Sequence, residues 1–563
     1  MEILIKNGFV FDPTNNIDGD VMDIHIRDGK IVQEVSESAK VIDAKGKIVM
    51  PGGVDIHTHI AGAKINAARL FRPEDHYRRV VPKTKLTHSG VGYSTPTSYI
   101  TGYRYARLGY TTVIEAASPP LETRHTHEEL NDLPMLDKAT YIVLGNNWTI
   151  LDYLSEGDLE KAAAYVSWVL KAVKGYGIKI VNPGGVELWG WGRNVDSIDD
   201  TVEPFNLTPR EILRGLAKIN TMLDLPHTIH VHSNNLGKPG NAYTTYQTMD
   251  AVSDLAGSNP NIHITHIQFT GYAGDDWLSL RSGAEKLSKY INMHKHVTFD
   301  LGQVIFGDTT TMTADGPFQY ILYNLTHNKW TGGEVEAEAS SGIVPYSYKK
   351  KNYVNSIQWA IGLEMALMVK DPWRTFMTTD HPNGGNFLEY PRVITWLMST
   401  LARERSLKKI NKRARKRLAL PTLDREYSFY EIAIITRAAT AKALSMKNKG
   451  HLGIGADADV AIYDINPETI NQTNDYLKIR KALRHAAYTI KGGEIVVKDG
   501  EIVQVVDGET YWVDSKIRDE LMQSVIPELK EKFKQYYTVS FNNFPIAEKE
   551  LLHSRRIQRK GKI

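Results

Sequence analysis

Lys47-Ile48-Val49-Met50-Pro51-Gly52-Gly53-Val54-Asp55-Ile56-His57-Thr58-His59 is the stretch from which the fold is read. Its apolar part predicts a strand. The strand ends in two histidines two residues apart, and alternation puts both on one face. Two imidazoles on one face can serve a metal, and imidazole is a favoured zinc ligand. His-x-His alone is a weak signal. Its weight depends on further ligands at the ends of other strands.

The rest of the centre supplies such strands. Residues 54–60, 110–116, 140–144, 177–182, 227–233, 262–269, 297–301 and 375–380 read as strands. Residues 158–175, 209–223, 242–256 and 275–291 read as amphipathic helices between them. This alternation belongs to parallel α/β folds, and eight units predict a closed TIM-like (β/α)8 barrel. An open doubly wound sheet would carry a glycine-rich phosphate loop after its first strand. Thr58-His59-Ile60-Ala61-Gly62 is not one.

Both chain ends have a different texture. Ile3-Leu4-Ile5, Phe9-Val10-Phe11, Asp23-Ile24-His25-Ile26 and Lys30-Ile31-Val32 are short strand candidates punctuated by Gly8, Gly19 and Gly29. The pattern returns in 455–464 and in the hairpin candidate 488–503. The reading is α/β, with a small composite β domain built from both ends. Residues 1–50 are its first part, 51–450 the barrel, 451–510 its second part, and 511–563 a C-terminal helical extension.

The chain has 563 residues, 42% of them apolar and 24% charged, as in soluble globular proteins. A net charge of +3 is too balanced to indicate nucleic acid. There is no cysteine, which excludes disulfides, thiolate catalysis and cysteine-held iron–sulfur clusters within the chain. No apolar run is long enough for a membrane span, and the start lacks a signal-peptide pattern. A cytoplasmic protein is expected.

Active sites of such barrels lie at the C-terminal ends of the strands. Lys179 sits on the fourth strand, His230 and His232 on the fifth, His263 and His266 on the sixth, and Asp380 ends the eighth. Each alone is more often a satisfied core or snorkelling group. Their joint occurrence at strand ends points to a site.

His-x-His on strand one, Lys on four, His on five and six, and Asp on eight resembles the ligand order of the amidohydrolase superfamily. Residues 48–55, Gly109-Tyr110-Thr111-Thr112-Val113 and Ala456-Asp457-Ala458-Asp459 agree with it. Within the superfamily, residues 1–505 resemble the A subunits of formylmethanofuran dehydrogenases. The blocks that carry this are 55–62, Lys179-Ile180-Val181-Asn182-Pro183-Gly184-Gly185, 230–237 and Thr379-Asp380-His381-Pro382-Asn383-Gly384-Gly385. A bacterial subunit of formyltransferase/hydrolase complexes shares much of the pattern.

The resemblance implies two zinc ions. His57 and His59 would hold one, His232 and His266 the other. Lys179 would bridge them as a carbamate, and Asp380 would complete one metal and move a proton. His232 is preferred to His230, which then lies a layer deeper with Gln268 as a supporting group. His381 has no assigned role, and His294 and His296 read as structural at the opposite barrel end. The implied activity condenses formate with methanofuran to formylmethanofuran, reversibly, in methanogenesis and one-carbon metabolism. The implied partners are a molybdenum or tungsten pterin subunit that reduces carbon dioxide to formate, and iron–sulfur subunits. A formylmethanofuran hydrolase subunit, a hydantoinase- or dihydropyrimidinase-like cyclic amidase, and a non-catalytic scaffold are the alternatives.

Three flanking features bear on substrate. Trp189 and Trp191, in Gly184-Gly185-Val186-Glu187-Leu188-Trp189-Gly190-Trp191-Gly192, would stack on the coenzyme or pack their own loop. Lys64, Arg69, Arg72 and Arg78 would meet an acidic coenzyme tail or form a solvated face. Asn235 follows strand five and is expected near substrate. The basic stretch 403–417 reads as a charged helix surface, with a protein interface second.

Overall fold

The computed structural model describes the chain except residues 78, 204, 258 and 335–339, so Arg78 lies outside the described residues. Eight parallel strands form the barrel: β1 (Gly53–Thr58), β2 (Tyr110–Ser118), β3 (Asp137–Val143), β4 (Gly177–Val181), β5 (Ile229–His232), β6 (Ile262–Ile264), β7 (Val297–Asp300) and β8 (Thr375–Phe376). Each pairs with the next in parallel register. Between β8 and β1 there is no ladder. The ring closes through one parallel bridge, Thr58 to His381, where the His59 amide donates to the His381 carbonyl at 2.7 Å. The expected barrel is present, nearly closed.

Capping chemistry explains where the helices start. Asp158 accepts from the Lys161 amide at 3.0 Å and opens Leu159–Ala172. Thr208 and Glu211 form a capping box before Pro209–Met222, with proline in the first turn. One expected helix is corrected. Residues 275–291 are helical only within Ala284–Met293, because Tyr272–Ala273 and Arg281–Ser282 pair as a hairpin whose turn is held by Asp276 accepting from the Ser279 amide at 2.6 Å.

Two strands stop earlier than their sequence suggests. β6 ends at Ile264, and His266 turns out of the strand with φ 36° before a short helical turn, Ile267–Phe269. β8 ends at Phe376, and Asp380 has φ 48°. In both, the backbone leaves the sheet just where a ligand-type side chain must turn into the barrel mouth.

The chain ends build one nine-stranded sheet, as expected. Ile48–Pro51 joins its halves, parallel to Glu2–Asp12 and antiparallel to Val460–Tyr463. The same segment runs on into β1 through Gly52 and Gly53. A Cβ on Gly52 would lie 2.2 Å from the Thr111 hydroxyl oxygen, and one on Gly53 2.5 Å from the Tyr110 ring, so only glycine fits this crossing.

The extension at 511–563 is more than helical. Thr510–Lys516 and Ser554–Lys560 pair in parallel and lengthen the barrel sheet beside β3. Between them Asp519–Tyr536 packs on Leu159–Ala172, with Trp168 meeting Phe533, Phe541 and Phe544. The outer strand, Ser-Arg-Arg-Ile-Gln-Arg-Lys, is a charged edge that discourages further pairing. The basic stretch is only partly a charged surface. Arg403 is buried and donates to the carbonyls of Trp396 and Arg425 at 2.7 and 2.8 Å.

A buried ion network joins sheet to barrel. Lys449 meets Asp137 at the start of β3, and Asp459 and Asp457 at 2.7 and 2.9 Å. Lys491 meets Asp137 at 2.7 Å and Asp459 at 3.1 Å. Burial alone would raise the Asp137 pKa, but Lys449 and Lys491 outweigh it and hold the carboxyl below its usual range. Lys449→Met should therefore lower unfolding stability by roughly 3–5 kcal/mol at pH 7, because paired carboxylates stay buried without their cation. The depressed Asp137 pKa stabilises above the ordinary carboxyl value and the effect fades as pH falls, so the gap between wild type and variant should narrow below about pH 4. Urea unfolding at both pH values tests this; a constant gap would contradict it.

Candidate metal centre at the barrel mouth

β1 delivers His57 and His59, both buried, with ring centroids 5.4 Å apart. The loop after β8 brings Asp380 between them. Its Oδ1 lies 3.0 Å from His57 Nε2 and 3.3 Å from His59 Nε2. Yet His57 Nε2 has no hydrogen-bond partner, although it is fully buried. These groups offer three ligand atoms within 4.8 Å of one another. Donors that converge without bonding to each other suit a cation between them.

β4 brings Lys179 opposite His230 of β5. The Lys179 ammonium is buried with no hydrogen-bond partner. Burial lowers its pKa to about 7, although Asp300 and Asp380 favour the charged form. Much of the amine is then neutral near pH 7. His232 and His266 face each other with rings 4.8 Å apart, and His266 Nδ1 is buried and unpartnered. His57 and His266 rings are 5.4 Å apart. The structure thus brings His57, His59, Lys179, His232, His266 and Asp380 into one buried cluster.

The supporting groups decide which nitrogens are free. His230 Nε2 lies 2.8 Å from His57 Nδ1 in a hydrogen bond, so that pair is already engaged with each other. Glu115 on β2 lies 3.4 Å from His59 Nδ1 and accepts from the Ile60 and Ala61 amides at 2.7 and 3.0 Å. Burial works against a charged His59, but Asp380 and Glu115 outweigh it and raise its pKa. Asp315 lies 3.2 Å from His232 Nε2 and accepts from Asn182 at 3.1 Å. Asp300 on β7 accepts from the His266 amide at 3.0 Å and lies 3.1 Å from His263 Nε2. Burial raises the pKa of Asp380, whose Oδ1 accepts from Asn383 at 3.0 Å.

Sequence reasoning missed Glu115, Asp300, Asp315 and Asn383. Asp300 had a signal, as a carboxylate at the C-terminal end of a strand like the other site residues. Asp315 had none. It sits beyond Gly307–Thr313, a strand of a three-stranded insertion between β7 and β8 with its partners Ser340–Tyr348 and Thr331–Glu334.

The remaining expected residues lie as follows. Gln268 is buried and accepts from the Val304 amide at 2.6 Å. Lys64 is not on a solvated face; it is buried and donates to the Ala117 carbonyl at 2.6 Å. Arg69 pairs with Glu129 at 2.5 Å, and Arg72 donates to the Thr309 carbonyl at 2.6 Å. Asn235 donates to the Asp196 carbonyl at 2.8 Å, holding two loops together. Trp189 packs 5.3 Å from Tyr320, while Trp191 is 64% exposed. Neither tryptophan lines the cavity that reaches Asp380. That cavity, about 250 Å³, is walled by Phe269, Tyr272, Phe318, Tyr346 and Tyr348. His381 is buried 4.8 Å from Phe387. His294 and His296 bond the Tyr290 and Met249 carbonyls at 2.9 Å each.

The amidohydrolase family profile matches residues 40–497. The chain belongs to the amidohydrolase family. It is 52% identical over 557 residues to Protein FwdA of Methanocaldococcus jannaschii, covering 97% of both chains. It is 38% identical over 521 residues to the FhcA component of the formyltransferase/hydrolase complex of Methylorubrum extorquens, covering 91% of both. The crystal structure of that FhcABCD complex with methylofuran contains a chain that superposes with TM-score 0.89 at 33% identity, over 99% of this chain and 100% of that one. The likeness to formylmethanofuran dehydrogenase A subunits read from the sequence is therefore homology to FwdA.

For this amidohydrolase the insertion carboxylate gives a direct test. With His232 as a ligand, as the sequence reading expects, Asp315→Ala should weaken metal binding by about ten- to a hundredfold, the usual effect of removing a carboxylate that orients a ligating histidine. Chelator competition measures it. An unchanged affinity would detach the insertion from the metal centre.

Proposed function

We propose that this chain is the amide-forming subunit of a formylmethanofuran dehydrogenase, joining formate to the amine of methanofuran and, in reverse, hydrolysing the formamide. The observation that carries the proposal is the convergence of His57, His59 and Asp380 beside an unpartnered buried lysine, in a chain homologous to FwdA over almost its whole length. The donor chemistry fits two zinc ions. His57, His59 and Asp380 would hold one, His232 and His266 the other, and Lys179 would bridge them once its neutral amine has taken up carbon dioxide as a carbamate. Such a pair of ions lowers the pKa of water and polarises a carbonyl.

The chain's own residues do the rest. Asp380 takes the proton of the attacking water and passes it to the departing amine; in the condensing direction it runs the same transfer backwards. The aromatic walls of the cavity would seat a flat ring next to the formamide. Formate would come from a partner subunit with a molybdenum or tungsten pterin, with iron–sulfur subunits supplying electrons. The chain has no cysteine to hold a cluster, and no helix among the described residues is long and apolar enough to cross a membrane. Cytoplasmic placement belongs to the same proposal. The likeness to FhcA supports a second reading, net hydrolysis in a formyltransferase/hydrolase complex.

The isolated chain, reloaded with zinc and bicarbonate, should release formate from formylmethanofuran without any redox partner. Asp380→Asn should cut this rate by roughly two to four decades while keeping most of the metal. Turnover of dihydrouracil with inert formylmethanofuran would favour a cyclic amidase instead.

The buried lysine sets the pH for reloading. Its pKa is lowered to about 7, so the reactive amine dominates above that value and the unreactive ammonium below it. Zinc uptake by metal-free protein in bicarbonate should rise through pH 7 and flatten above about pH 8. A rate still climbing toward about pH 10, as for an ordinary lysine, would overturn the assignment.

A further inference from the structure

Behind the metal centre, His227 and His230, two imidazoles that the proposed reaction does not use, line up with His57. His227 Nδ1 lies 2.9 Å from the Ala443 carbonyl oxygen. His227 Nε2 lies 3.0 Å from His230 Nδ1. His230 Nε2 lies 2.8 Å from His57 Nδ1. All three rings are buried, and His230 is packed between rings, 4.4 Å from Tyr141 and 4.5 Å from His263.

We infer that His227 and His230 are positioning residues that fix the proton of His57 on Nδ1 and so aim its bare Nε2 at the metal. The order follows from one end. A carbonyl oxygen only accepts, so His227 must carry its proton on Nδ1. Its Nε2 is then bare and can only accept, so His230 donates from Nδ1. His230 Nε2 is bare in turn, and His57 must donate from Nδ1. His57 Nε2, which points at Asp380, is left with its lone pair free.

Both the anchor and the medium favour this order. Ala443 ends the helix Ala439–Ala443, which continues Phe429–Ala433 and Ile434–Ala438. The last carbonyls of a helix have no partner within it and carry its negative end. His227 satisfies one of them, and Tyr176 satisfies the next, the Leu444 carbonyl, at 2.6 Å. Asp300 also approaches His57 Nδ1, at 3.6 Å, beyond hydrogen-bond reach but again an acceptor; on the other side Asp380 Oδ1 lies 3.0 Å from Nε2 but makes no hydrogen bond with it, so the bonded line through Nδ1 sets the proton position. Burial beside Lys179 opposes an extra charge on any of the three rings. A neutral imidazole has two tautomers, and only one of them can ligate through Nε2. Without the line, His57 would have to settle its tautomer at a cost to metal affinity.

The inference rests on the proposed metal site, and its test has two parts. The first needs no metal. Imidazole 15N shifts of the metal-free protein, assigned with single histidine variants, should report His57, His227 and His230 as Nδ1–H tautomers. A proton on Nε2 of metal-free His57 would overturn the inference.

The second compares variants by chelator competition and by the visible spectrum of the cobalt-substituted protein. His230→Leu removes both hydrogen bonds and should lower affinity by about ten- to a hundredfold, the range for losing a partner of a ligating histidine. His230→Gln keeps an acceptor for His57 and a donor for His227, and should restore most of the affinity and the wild-type spectrum. Equal losses in the two variants, or none in either, would overturn the inference. If the wild type takes up no metal, the proposed reaction falls, while the 15N shifts still decide the proton order.

Discussion

One backbone hydrogen bond, from the His59 amide to the His381 carbonyl, joins the first strand of the barrel to the last. β8 is too short to form a ladder with β1, so this contact and the Thr58–His381 bridge close the ring. They also fix the distance between the histidine pair of β1 and Asp380. The candidate metal centre and barrel closure therefore share one constraint. Strain visible nearby, in the positive φ of Asp380 and His266, is of the kind that persists where surrounding structure over-determines a site.

Around that seam the molecule invests buried polar groups that a simple core would not carry. Lys179 has no hydrogen-bond partner, and Asp300 and Glu115 are enclosed. Such groups cost free energy unless paired or used. Glu115 and Asp300 are paired with backbone amides and imidazoles that they orient. Lys179 is the exception, and its lowered pKa is the physical reason to regard it as reactive. The structure also separates two kinds of buried charge. Asp137, Lys449, Lys491 and Asp459 neutralise one another and tie the composite sheet to β3. The barrel-mouth donors converge instead, leaving lone pairs without hydrogens to meet.

The three-stranded insertion between β7 and β8 has two effects on the site. Its Asp315 holds His232, and the Met312 amide holds Asn383, which in turn bonds Asp380. The same insertion contributes Tyr346 and Tyr348 to the aromatic cavity. Supports of His232 and Asp380 and part of the cavity wall are therefore built on one element, which couples the shape of the cavity to the position of the Asp380 carboxylate.

Much of this was legible in the sequence. The period of the strands, the glycines and prolines between them, and the position of each ligand type at a strand end are local properties, so the barrel, the composite sheet and His57, His59, Lys179, His266 and Asp380 stood out, while His232 was preferred to His230 only through the family resemblance. What lay beyond reach was set by contacts distant along the chain. Asp315 meets His232 from 83 residues away, and Ala443 meets His227 from 216. Lys64 read as a cation for an acidic coenzyme tail or for a solvated face because a sequence gives charge but not burial. Trp189 and Trp191 read as candidates for substrate stacking because their loop follows a ligand, yet the cavity opens toward Phe269, Phe318 and Tyr348 on other elements. Residue type and spacing determined which chemistry the chain carries. Only the packing of distant segments decided which nitrogen, carboxylate and wall face each other, because hydrogen-bond direction and desolvation are properties of neighbours in space.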